Sequence, residues 1–365
     1  MWGGVYQSSA RRGWDHPHYE KIAWSQAANM RVYALAYALW RDPQYLRAAQ
    51  QTARYVAAFL TSPDGAFYAS QDADAVRGQH SAGYFALSDV ERRRRGVPAV
   101  DKNVYARENG WLISALVQLH AAGEPDALAA ALRAARWVYD HRSLPRGGFM
   151  HGEADSGGPF LGDSLAMGRA LLDLYAATAD TAWLARAETT LDFIRHRFAD
   201  PSPDVPGFYS AEPREGAALA PVRRLEENIA LARFAILAHH YTGRQEFRRV
   251  AESALRWLAS GDVALANVTE IGVVLAEEEL RADPLHVTIV GAREDAAAAA
   301  LHRAALALPA AYKRIDWLAP GATLPNLEIQ FPELDRPAAF LCAGGRCSAP
   351  IFNPDQLSGV AARFR

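Results

Sequence analysis

The spacing of apolar residues predicts that most of this chain is helical. Apolar positions recur every three or four residues from residue 18 to residue 281, which is the period of an amphipathic helix. Alanine, leucine and arginine are abundant in the same region, and all three have high helix propensity. The first predicted helix shows the pattern at Val32, Leu35, Ala36 and Leu39.

A repeat within this region predicts that the helices form hairpins. Four segments share one template, with an alanine seven residues after the start of the segment and an aromatic residue six positions later. The alanine allows a neighbouring helix to approach closely, and the aromatic residue lies near the same face. The segments are DPQYLRAAQQTARYV (42–56), EPDALAAALRAARWV (124–138), DTAWLARAETTLDFI (180–194) and RQEFRRVAESALRWL (244–258). Each is predicted to be the second helix of a hairpin, after first helices at 18–40, 107–122, 162–179 and 223–242.

Three loops between the hairpins also resemble one another. They are DGAFYAS (64–70), GGFMHG (147–152) and PGFYSA (206–211). Each follows a second helix and leads toward the next hairpin, so all three are predicted to lie on one rim. Paired helices that advance in this way favour an (α/α) helical-hairpin toroid, with a superhelical solenoid of the same units as the alternative. Residues 263–281 form a ninth predicted helix without a partner.

The pattern changes after residue 283, where a small α/β module is predicted. The predicted domains are the toroid at 1–283 and the module at 284–365. Strands are predicted at 285–291, within YKRIDWLAP and at 337–343, with a helix at 294–308. Gly291 stands alone after its strand, so a glycine-rich phosphate loop is absent and no cofactor is expected.

Composition narrows the class of protein. A formal net charge of −2 and 50% hydrophobic residues predict a globular chain. No basic stripe interleaves with aromatic residues, so nucleic acid is not an expected partner, and the run Arg92 to Arg95 is interpreted as a solvated loop. No window reaches the ~18 apolar residues of a membrane span, and no apolar stretch near the N-terminus is typical of a signal peptide.

The cysteines favour a cytoplasmic location. Two cysteines cannot build a disulfide framework, which agrees with a reducing compartment. The spacing of Cys342 and Cys347 fits neither a redox CxxC pair nor a zinc site. They are interpreted as two thiols, at a strand end and in a turn.

The segment HPHYEK (16–21) has three interpretations. His16 and His18 are two residues apart and do not share a helical face, so no metal site is expected. Pro17 favours the first turn of a helix, where the helix dipole would stabilise Glu20. The functional alternative is that His18 and Glu20 bind a polyol or transfer a proton.

Carboxylates in later segments are candidate catalytic groups. Asp72 and Asp74 lie beside Gln71 in the first rim loop. Asp163 and Glu227 lie at the starts of later helices. Glycosidic hydrolysis with inversion needs two carboxylates about 6.5 to 9.5 Å apart, which one loop acid and one helix acid could supply. The alternatives are that the loop acids cap a turn and that Asp163 caps its helix.

Amides and aromatic rings complete the predicted site. Asn109 and Asn228 would line one cavity and recognise hydroxyl groups, while aromatic side chains would stack on a sugar ring. The predicted catalytic residues are His18, Asp72, Asp163 and Glu227. The predicted substrate-binding residues are Glu20, Gln71, Asp74, Asn109, Asn228, Trp14, Phe67 and Phe208.

Several motifs occur in the order of a known family. They are GGVY (3–6), Trp14 with PHYEK (17–21), FYASQDAD (67–74), Asn109-Gly110, Asp163 in LGDSLAMGRALLDLY, GFYS (207–210) and AAFLCAGGRCSAP (338–350). On these motifs the whole chain resembles the thioredoxin-domain proteins related to spermatogenesis-associated protein 20 and bacterial YyaL. It departs from the family at QSSARRG, at Glu108 and at Ser164-Leu165, so any chemistry that those positions carry is in question.

The resemblance implies a toroid similar to six-hairpin glycosidases and N-acylglucosamine 2-epimerase-like proteins. It also implies a thioredoxin-like domain and twelve helices, whereas this chain begins after that domain with nine predicted helices. We therefore expect no disulfide exchange, and an interface along the 18–40 and 263–281 helices that a second copy or another protein covers. The leading hypothesis is binding or acid/base conversion of a carbohydrate, and the alternative is a non-catalytic interaction subunit.

Overall fold

The computed structural model describes residues 2–9, 13, 16–76, 78, 82–153, 157–202, 204–213, 220–326, 330–332 and 334–364. The chain forms two compact units. The first unit comprises 1–144 and 149–157, and the second comprises 145–148 and 158–365. Within the described ranges, no helix is both long enough and apolar enough to cross a membrane. The domain boundary expected after residue 283 stays a prediction.

The first unit consists of helices with short strands between them. Its helices are α1 (Ala23–Trp40), α2 (Pro43–Phe59), α3 (Ala82–Phe85), α4 (Asp89–Arg95), α5 (Ala106–Ala121) and α6 (Pro125–Arg142). Its strands are β1 (Ser8–Ser9), β2 (Pro17–His18), β3 (Lys21–Ile22), β4 (Ser70–Gln71) and β5 (Val100–Asp101). Strand β1 pairs with β2, and β4 lies between β3 and β5, all antiparallel.

The second unit combines helical hairpins with a four-stranded sheet. Its helices are α7 (Leu161–Thr178), α8 (Thr181–Arg197), α9 (Leu225–Thr242), α10 (Gln245–Leu258), α11 (Gly261–Ala266), α12 (Ile271–Arg281), α13 (Ala296–Leu306) and α14 (Leu357–Ala361). Its strands are β6 (Leu285–Val290), β7 (Lys313–Leu318), β8 (Ala338–Ala343) and β9 (Arg346–Cys347). The strand order is β7-β6-β8-β9, with β6 parallel to β7 and the other pairs antiparallel.

The predicted hairpins are confirmed. Helix α1 packs against α2, α5 against α6, α7 against α8, and α9 against α10. Within each unit the first helices also pack side by side, α1 with α5 and α7 with α9. The repeat template has a packing reason, since its alanines Ala49, Ala131, Ala187 and Ala251 are all 0% exposed. The second helices bury one stripe, as α10 does through Phe247, Val250, Ala251, Ala254, Leu255 and Leu258.

Local backbone chemistry ends one helix and starts the next within a hairpin. In three of the four hairpins the first helix ends on a left-handed residue, with φ 56° at Arg41, 54° at Ala179 and 71° at Gly243. In two of these turns the next residue, Asp42 or Asp180, accepts a hydrogen bond from a backbone N–H of the second helix. Each turn is therefore only two residues long, which holds the two helices antiparallel.

The prediction that a helix begins at Pro17 is wrong. Helix α1 begins at Ala23, and the preceding segment forms two short strands. His18 pairs with Ser8, and Ile22 pairs with Ser70, so the backbone bonds of this segment are made to other strands. Pairing with a distant segment overrides the local preference of proline for a first helical turn.

Two further expectations are corrected. The 263–281 segment is not one helix: α11 ends at Ala266 and α12 begins at Ile271. The arginine run is not a loop, since it forms the C-terminal half of α4. Arg92 is 6% exposed, and its guanidinium carbon lies 4.7 Å from the ring centre of Trp2. This cation–π contact explains why one arginine of the run is buried.

In the C-terminal part, the three predicted strands and the predicted helix are confirmed. The interpretation of Cys342 and Cys347 as two thiols is wrong, because they form a disulfide. Strand β8 turns back through Gly344 and Gly345 into β9, which places the two cysteines opposite each other with Cα atoms 4.1 Å apart. Sequence spacing did not reveal this pairing.

Close packing between α7 and α9 depends on a glycine. A Cβ atom built on Gly168 would lie 2.8 Å from the ring of Phe234, which is 1% exposed and cannot move freely. We expect Gly168→Ala to destabilise the protein by about 1 to 2 kcal/mol, since overpacking outweighs the gain in helix propensity. A lower midpoint of urea unfolding would verify this. The matched control is Gly359→Ala in α14, where nothing lies within 4 Å and the midpoint should not fall.

Candidate functional site

A side-chain amide at the start of α5 fixes the first rim loop. The Phe67 N–H donates to Asn109 Oδ1 at 2.8 Å, and Asn109 Nδ2 donates to the Phe67 carbonyl at 3.0 Å. Asn109 Nδ2 also donates to the carbonyl of Tyr105, directly before the helix, at 2.9 Å. Asn109 is the fourth residue of α5 and is 0% exposed. Both amide hydrogens are therefore used by backbone carbonyls.

The same arrangement recurs at the fourth residue of α9. The Phe208 N–H donates to Asn228 Oδ1 at 2.9 Å, and Asn228 Nδ2 donates to the carbonyls of Phe208 at 2.9 Å and Arg224 at 3.0 Å. Gln26, the fourth residue of α1, bonds both backbone groups of Val5 at 2.8 and 2.7 Å. We call Gln26, Asn109 and Asn228 the amide clamps. The expectation that Asn109 and Asn228 bind a ligand is corrected, because no donor remains for one.

The aromatic residues of the rim loops are part of the core. Phe67 is 2% exposed and Phe208 is 3% exposed. Phe67 forms an isolated β-bridge with Thr61, shortly after α2, and Phe208 forms one with Ala199, shortly after α8. Burial leaves neither ring face open to stack on a sugar, so this expectation is corrected as well. The remaining predicted stacking residue, Trp14, lies outside the described residues.

Gln71 is a buried residue of β4 whose side chain bonds helix α2 and the segment before β5. It is 3% exposed, and its Oε1 accepts a hydrogen bond from the Tyr55 hydroxyl at 2.9 Å. Its Nε2 donates to the carbonyl of Pro98 at 3.3 Å. Through these contacts Gln71 helps to hold β4 in place within the first unit.

The loop acids adopt the turn-capping arrangement that the sequence left open. Asp72 Oδ1 accepts from the N–H of Asp74 at 3.1 Å, and Asp74 Oδ2 accepts from the N–H of Gly78 at 3.1 Å. Asp72 is exposed and Asp74 is half-buried. The two carboxylates therefore stabilise successive turns in the first unit.

His18 and Glu20 are close but exposed. His18 Nε2 lies 3.7 Å from Glu20 Oε2, and their side chains are 47% and 32% exposed. They lie at strand β2 and just after it, not at the start of a helix. In this exposed position a contact of this length stabilises the fold little.

A buried lysine next to this segment was missed by sequence reasoning. Lys21 is 5% exposed, donates to the carbonyl of Gly3 at 2.6 Å and lies 4.3 Å from the ring centre of Tyr55. Burial, with a smaller contribution from Arg92, lowers the pKa of Lys21 to about 8. It faces Gln71 across strands β3 and β4. The only signal was its place in the polar segment HPHYEK (16–21), where no function was predicted for the lysine.

The remaining candidate acids occupy one position of the hairpin repeat. Asp163 is the third residue of α7 and Glu227 is the third residue of α9, and these helices pack side by side. Asp163 is 1% exposed, and Glu227 is half-buried. Asp163 does not cap its helix, since the cap position is Phe160. Both carboxylates lie in a first helical turn, where the helix dipole stabilises a negative charge.

Glu108 is a third acid at this position. It is the third residue of α5 and is 9% exposed. Its Oε1 accepts from Arg107 at 3.0 Å, while the buried Oε2 has no hydrogen-bond partner within the described ranges. Aligning ARENG, LGDSL and LEENI at the helix starts would have revealed the shared acid. We call Glu108, Asp163 and Glu227 the first-turn acids.

The described side chains do not suggest a metal centre. Among them, no group of three or more histidine, cysteine, aspartate or glutamate residues is placed to hold a metal ion. Carboxyl groups such as the first-turn acids can transfer protons and accept hydrogen bonds from hydroxyl groups.

Comparison with known proteins agrees with the motif resemblance. No protein-family model matches the chain. A stretch of 78 residues, 21% of this chain, is 37% identical to spermatogenesis-associated protein 20 of Homo sapiens and covers 10% of that protein. A stretch of 177 residues, 48% of this chain, is 27% identical to the Mus musculus protein and covers 19% of it. The chain is similar to spermatogenesis-associated protein 20. The matches span less than two thirds of these relatives, at 10% and 19% of their lengths.

Solved structures share the fold. A D-mannose isomerase has a TM-score of 0.53 at 13% identity, covering 69% of this chain and 63% of that one. A glycoside hydrolase family 76 mannosidase from Bacteroides thetaiotaomicron has a TM-score of 0.50 at 15% identity, covering 70% and 64%. Likeness at these identities shows the fold alone. The predicted mainly α, (α/α) toroid class is confirmed.

The amide clamps predict a specific cost of substitution. Asn228→Asp keeps the shape of the side chain but loses both donated hydrogen bonds, and it sets carboxylate oxygens against two carbonyls. We expect a loss of about 2 to 4 kcal/mol of stability, measured as a lower urea midpoint. The matched control is Asn267→Asp, which loses one bond to the Val263 carbonyl and should cost about 1 kcal/mol. Equal losses in both variants would contradict the clamp.

Proposed function

We propose that the chain binds a hexose-type carbohydrate through two of the first-turn acids, Asp163 and Glu227 of the second unit, and acts on it by acid/base chemistry. The observation that carries the proposal is the equivalent placement of Asp163 and Glu227 on adjacent helices of the second unit. Two carboxylates on neighbouring helix starts could provide one group to remove a proton and one to donate it.

The electrostatics of a helix start supports this assignment. The first backbone N–H groups of a helix lack intrahelical partners, and the dipole favours anions there. A carboxylate in this position is an acceptor for sugar hydroxyls, and a site shielded from water strengthens such hydrogen bonds. Asp163, at 1% exposure, is in such a shielded position.

The fold comparisons indicate which sugar to test first. The two structural neighbours are, by name, an isomerase of D-mannose and a mannosidase. Since fold does not determine function, this supports only the choice of ligand class. D-mannose and a mannose disaccharide are therefore the first candidates.

Substitution of the acids tests the proposal. We expect D-mannose or a mannose disaccharide to bind the full chain, with isothermal titration showing at least about a tenfold loss of affinity in Asp163→Asn and Glu227→Gln. The same samples, followed by proton NMR, should show conversion of the sugar by the unmodified protein and none by the variants.

A neighbouring residue provides the matched control. Glu226 precedes Glu227 in the same helical turn but is exposed, with its side chain 72% accessible. Glu226→Gln should leave binding and turnover unchanged. Binding that survives both Asp163→Asn and Glu227→Gln would exclude these acids as the site.

A second candidate function, docking of another copy, is favoured by two exposed apolar surfaces. The α1 face consists of Trp24, Val32, Leu39 and Trp40, which are 49 to 63% exposed. The α12 face consists of Leu265, Val268, Ile271, Val274 and Leu275, which are 45 to 78% exposed. Large apolar side chains in such groups are typical of interaction sites.

Charge favours pairing of the α1 face of one copy with the α12 face of another. Residues 23–41 carry two arginines, Arg31 and Arg41, and no acid. Residues 261–281 carry exposed acids at Asp262, Glu270, Glu277 and Glu278 and one arginine, whereas Glu279 is buried and bonds Arg233. Opposite charge around apolar centres orients two partners and suppresses other contacts. We propose a head-to-tail homo-oligomer built on these two faces.

The oligomer proposal predicts a charge-dependent assembly. Sedimentation equilibrium at micromolar concentration should detect the oligomer, and Val32→Glu should dissociate it by placing an acid against the acidic face. Val32→Lys should dissociate it less. The control is Val90→Glu, since Val90 is also 59% exposed but lies on α4. A strictly monomeric chain would rule this candidate out.

A further inference from the structure

The C-terminal sheet aligns four reactive or charged residues in one transverse row. Arg314 on β7 and Cys342 on β8 are both register partners of His286 on β6. Cys342 is in turn the partner of Cys347 on β9. Register partners on neighbouring strands direct their side chains to the same face, with Cβ atoms about 4.5 to 5.5 Å apart. The Cys342–Cys347 disulfide therefore lies beside the imidazole of His286.

This row lines a cavity of about 350 Å³ in the second unit. Its lining includes His240, His286, Arg314, Cys342 and Cys347. Its volume is at the lower end of the range for small-molecule sites, which is about 300 to 1,000 Å³. A compound of tripeptide size fits this class of cavity, whereas a folded protein domain does not.

A buried carboxylate holds the imidazole in place. Asp316 is 0% exposed, and its Oδ2 lies 2.9 Å from His286 Nε2 and accepts from Arg314 Nε at 2.6 Å. Its Oδ1 accepts from the Tyr175 hydroxyl at 2.8 Å. Burial raises the pKa of Asp316, but Arg314 and His286 together hold it below its usual range. An ionised Asp316 stabilises positive charge on the imidazole whenever His286 takes up a proton.

The second imidazole at this cavity cannot act in the same way. Burial, with smaller contributions from His239 and Arg314, lowers the pKa of His240 to about 3. His240 is therefore neutral at physiological pH. His286 is the one of these two imidazoles with a carboxylate partner, and it is the one opposite Cys342.

We propose that Cys342–Cys347 is a redox-active disulfide that exchanges with a small-molecule thiol bound in this cavity. Cys347 is exposed and Cys342 is 6% exposed, so the entering thiolate attacks the sulfur of Cys347 and expels Cys342 beside His286. A leaving thiolate departs faster when a neighbouring positive charge stabilises it. The proposal departs from the expectation of no disulfide exchange, which rested on the missing thioredoxin-like domain and on a cysteine spacing that differs from CxxC.

The exchange is balanced in atoms and electrons. A thiolate of the small molecule forms a mixed disulfide with Cys347, the Cys342–Cys347 bond breaks, and Cys342 leaves as a thiolate with His286 as the proton source. A second molecule of the thiol, as its thiolate, attacks the small-molecule sulfur of the mixed disulfide and releases Cys347 as a thiolate. Two thiols of the small molecule are oxidised to one disulfide, and the protein pair is reduced to two thiols.

The experiment measures the rate at which glutathione reduces the disulfide in the full chain, by alkylation of new thiols and mass spectrometry. The reference is the oxidised peptide of residues 338–350, which has the same disulfide without the cavity. We expect reduction to be about tenfold faster in the protein than in the peptide, and His286→Gln to remove most of that difference. The matched control is His302→Gln, because His302 is 5% exposed in α13 and bonds the Ala176 carbonyl instead.

Single cysteine variants identify the sulfur that is attacked. Oxidised glutathione should form a mixed disulfide with Cys347 in Cys342→Ser, and it should form one with Cys342 more slowly in Cys347→Ser. The proposal is overturned if protein and peptide react at the same rate, or if His286→Gln reacts like the unmodified chain. It is also overturned if the pair stays as two thiols after treatment with oxidised glutathione. None of these outcomes depends on whether the chain binds a sugar.

Discussion

The starts of α1, α5 and α9 depend on the amide clamps. A rim loop that is buried must satisfy its backbone N–H and C=O groups, since each unpaired group costs about 1 to 3 kcal/mol. Asn109 and Asn228 satisfy both groups of one loop residue and tie that residue to the carbonyl before the helix. Each of these two clamps therefore fixes the path of a loop, the first turn of a helix and the burial of the loop phenylalanine together.

The first-turn acids follow from the same geometry. In α5 and α9 the acid directly precedes the clamping amide, as Glu108 precedes Asn109 and Glu227 precedes Asn228. A turn that is held at its fourth residue has little freedom at its third, so the clamp also restrains the backbone that carries the carboxylate. The polar residues first expected to bind a ligand and the acids now proposed to do so thus have complementary functions. The amides fix the conformation of the first helical turn, and the acids are the side chains of that turn that we propose to bind the ligand.

In the C-terminal sheet, strand register positions the polar side chains. Arg314, His286, Cys342 and Cys347 are far apart in the chain and become neighbours only because their strands pair in one register. A shift by one residue would send alternate side chains to the opposite face and separate the disulfide from the imidazole. Burial of Asp316 among Arg314, His286 and Tyr175 fixes that register, because its charge would otherwise lack partners.

Periodicity and repetition in the sequence were sufficient for the hairpins, the C-terminal strands and the toroid class, because apolar spacing and buried alanines are local signals. Local signals were insufficient at Pro17, where pairing of His18 with Ser8 replaced the expected helix, and at Cys342, where a strand turn made a disulfide. The same signals did not reveal that the Asn228 side chain bonds the backbone of Phe208 in a loop rather than a ligand. The sequence by itself determines the chemistry of each side chain. Only the tertiary structure decides which hydrogen-bond partner each buried polar group has, because such a group bonds to the donors and acceptors that packing brings close to it.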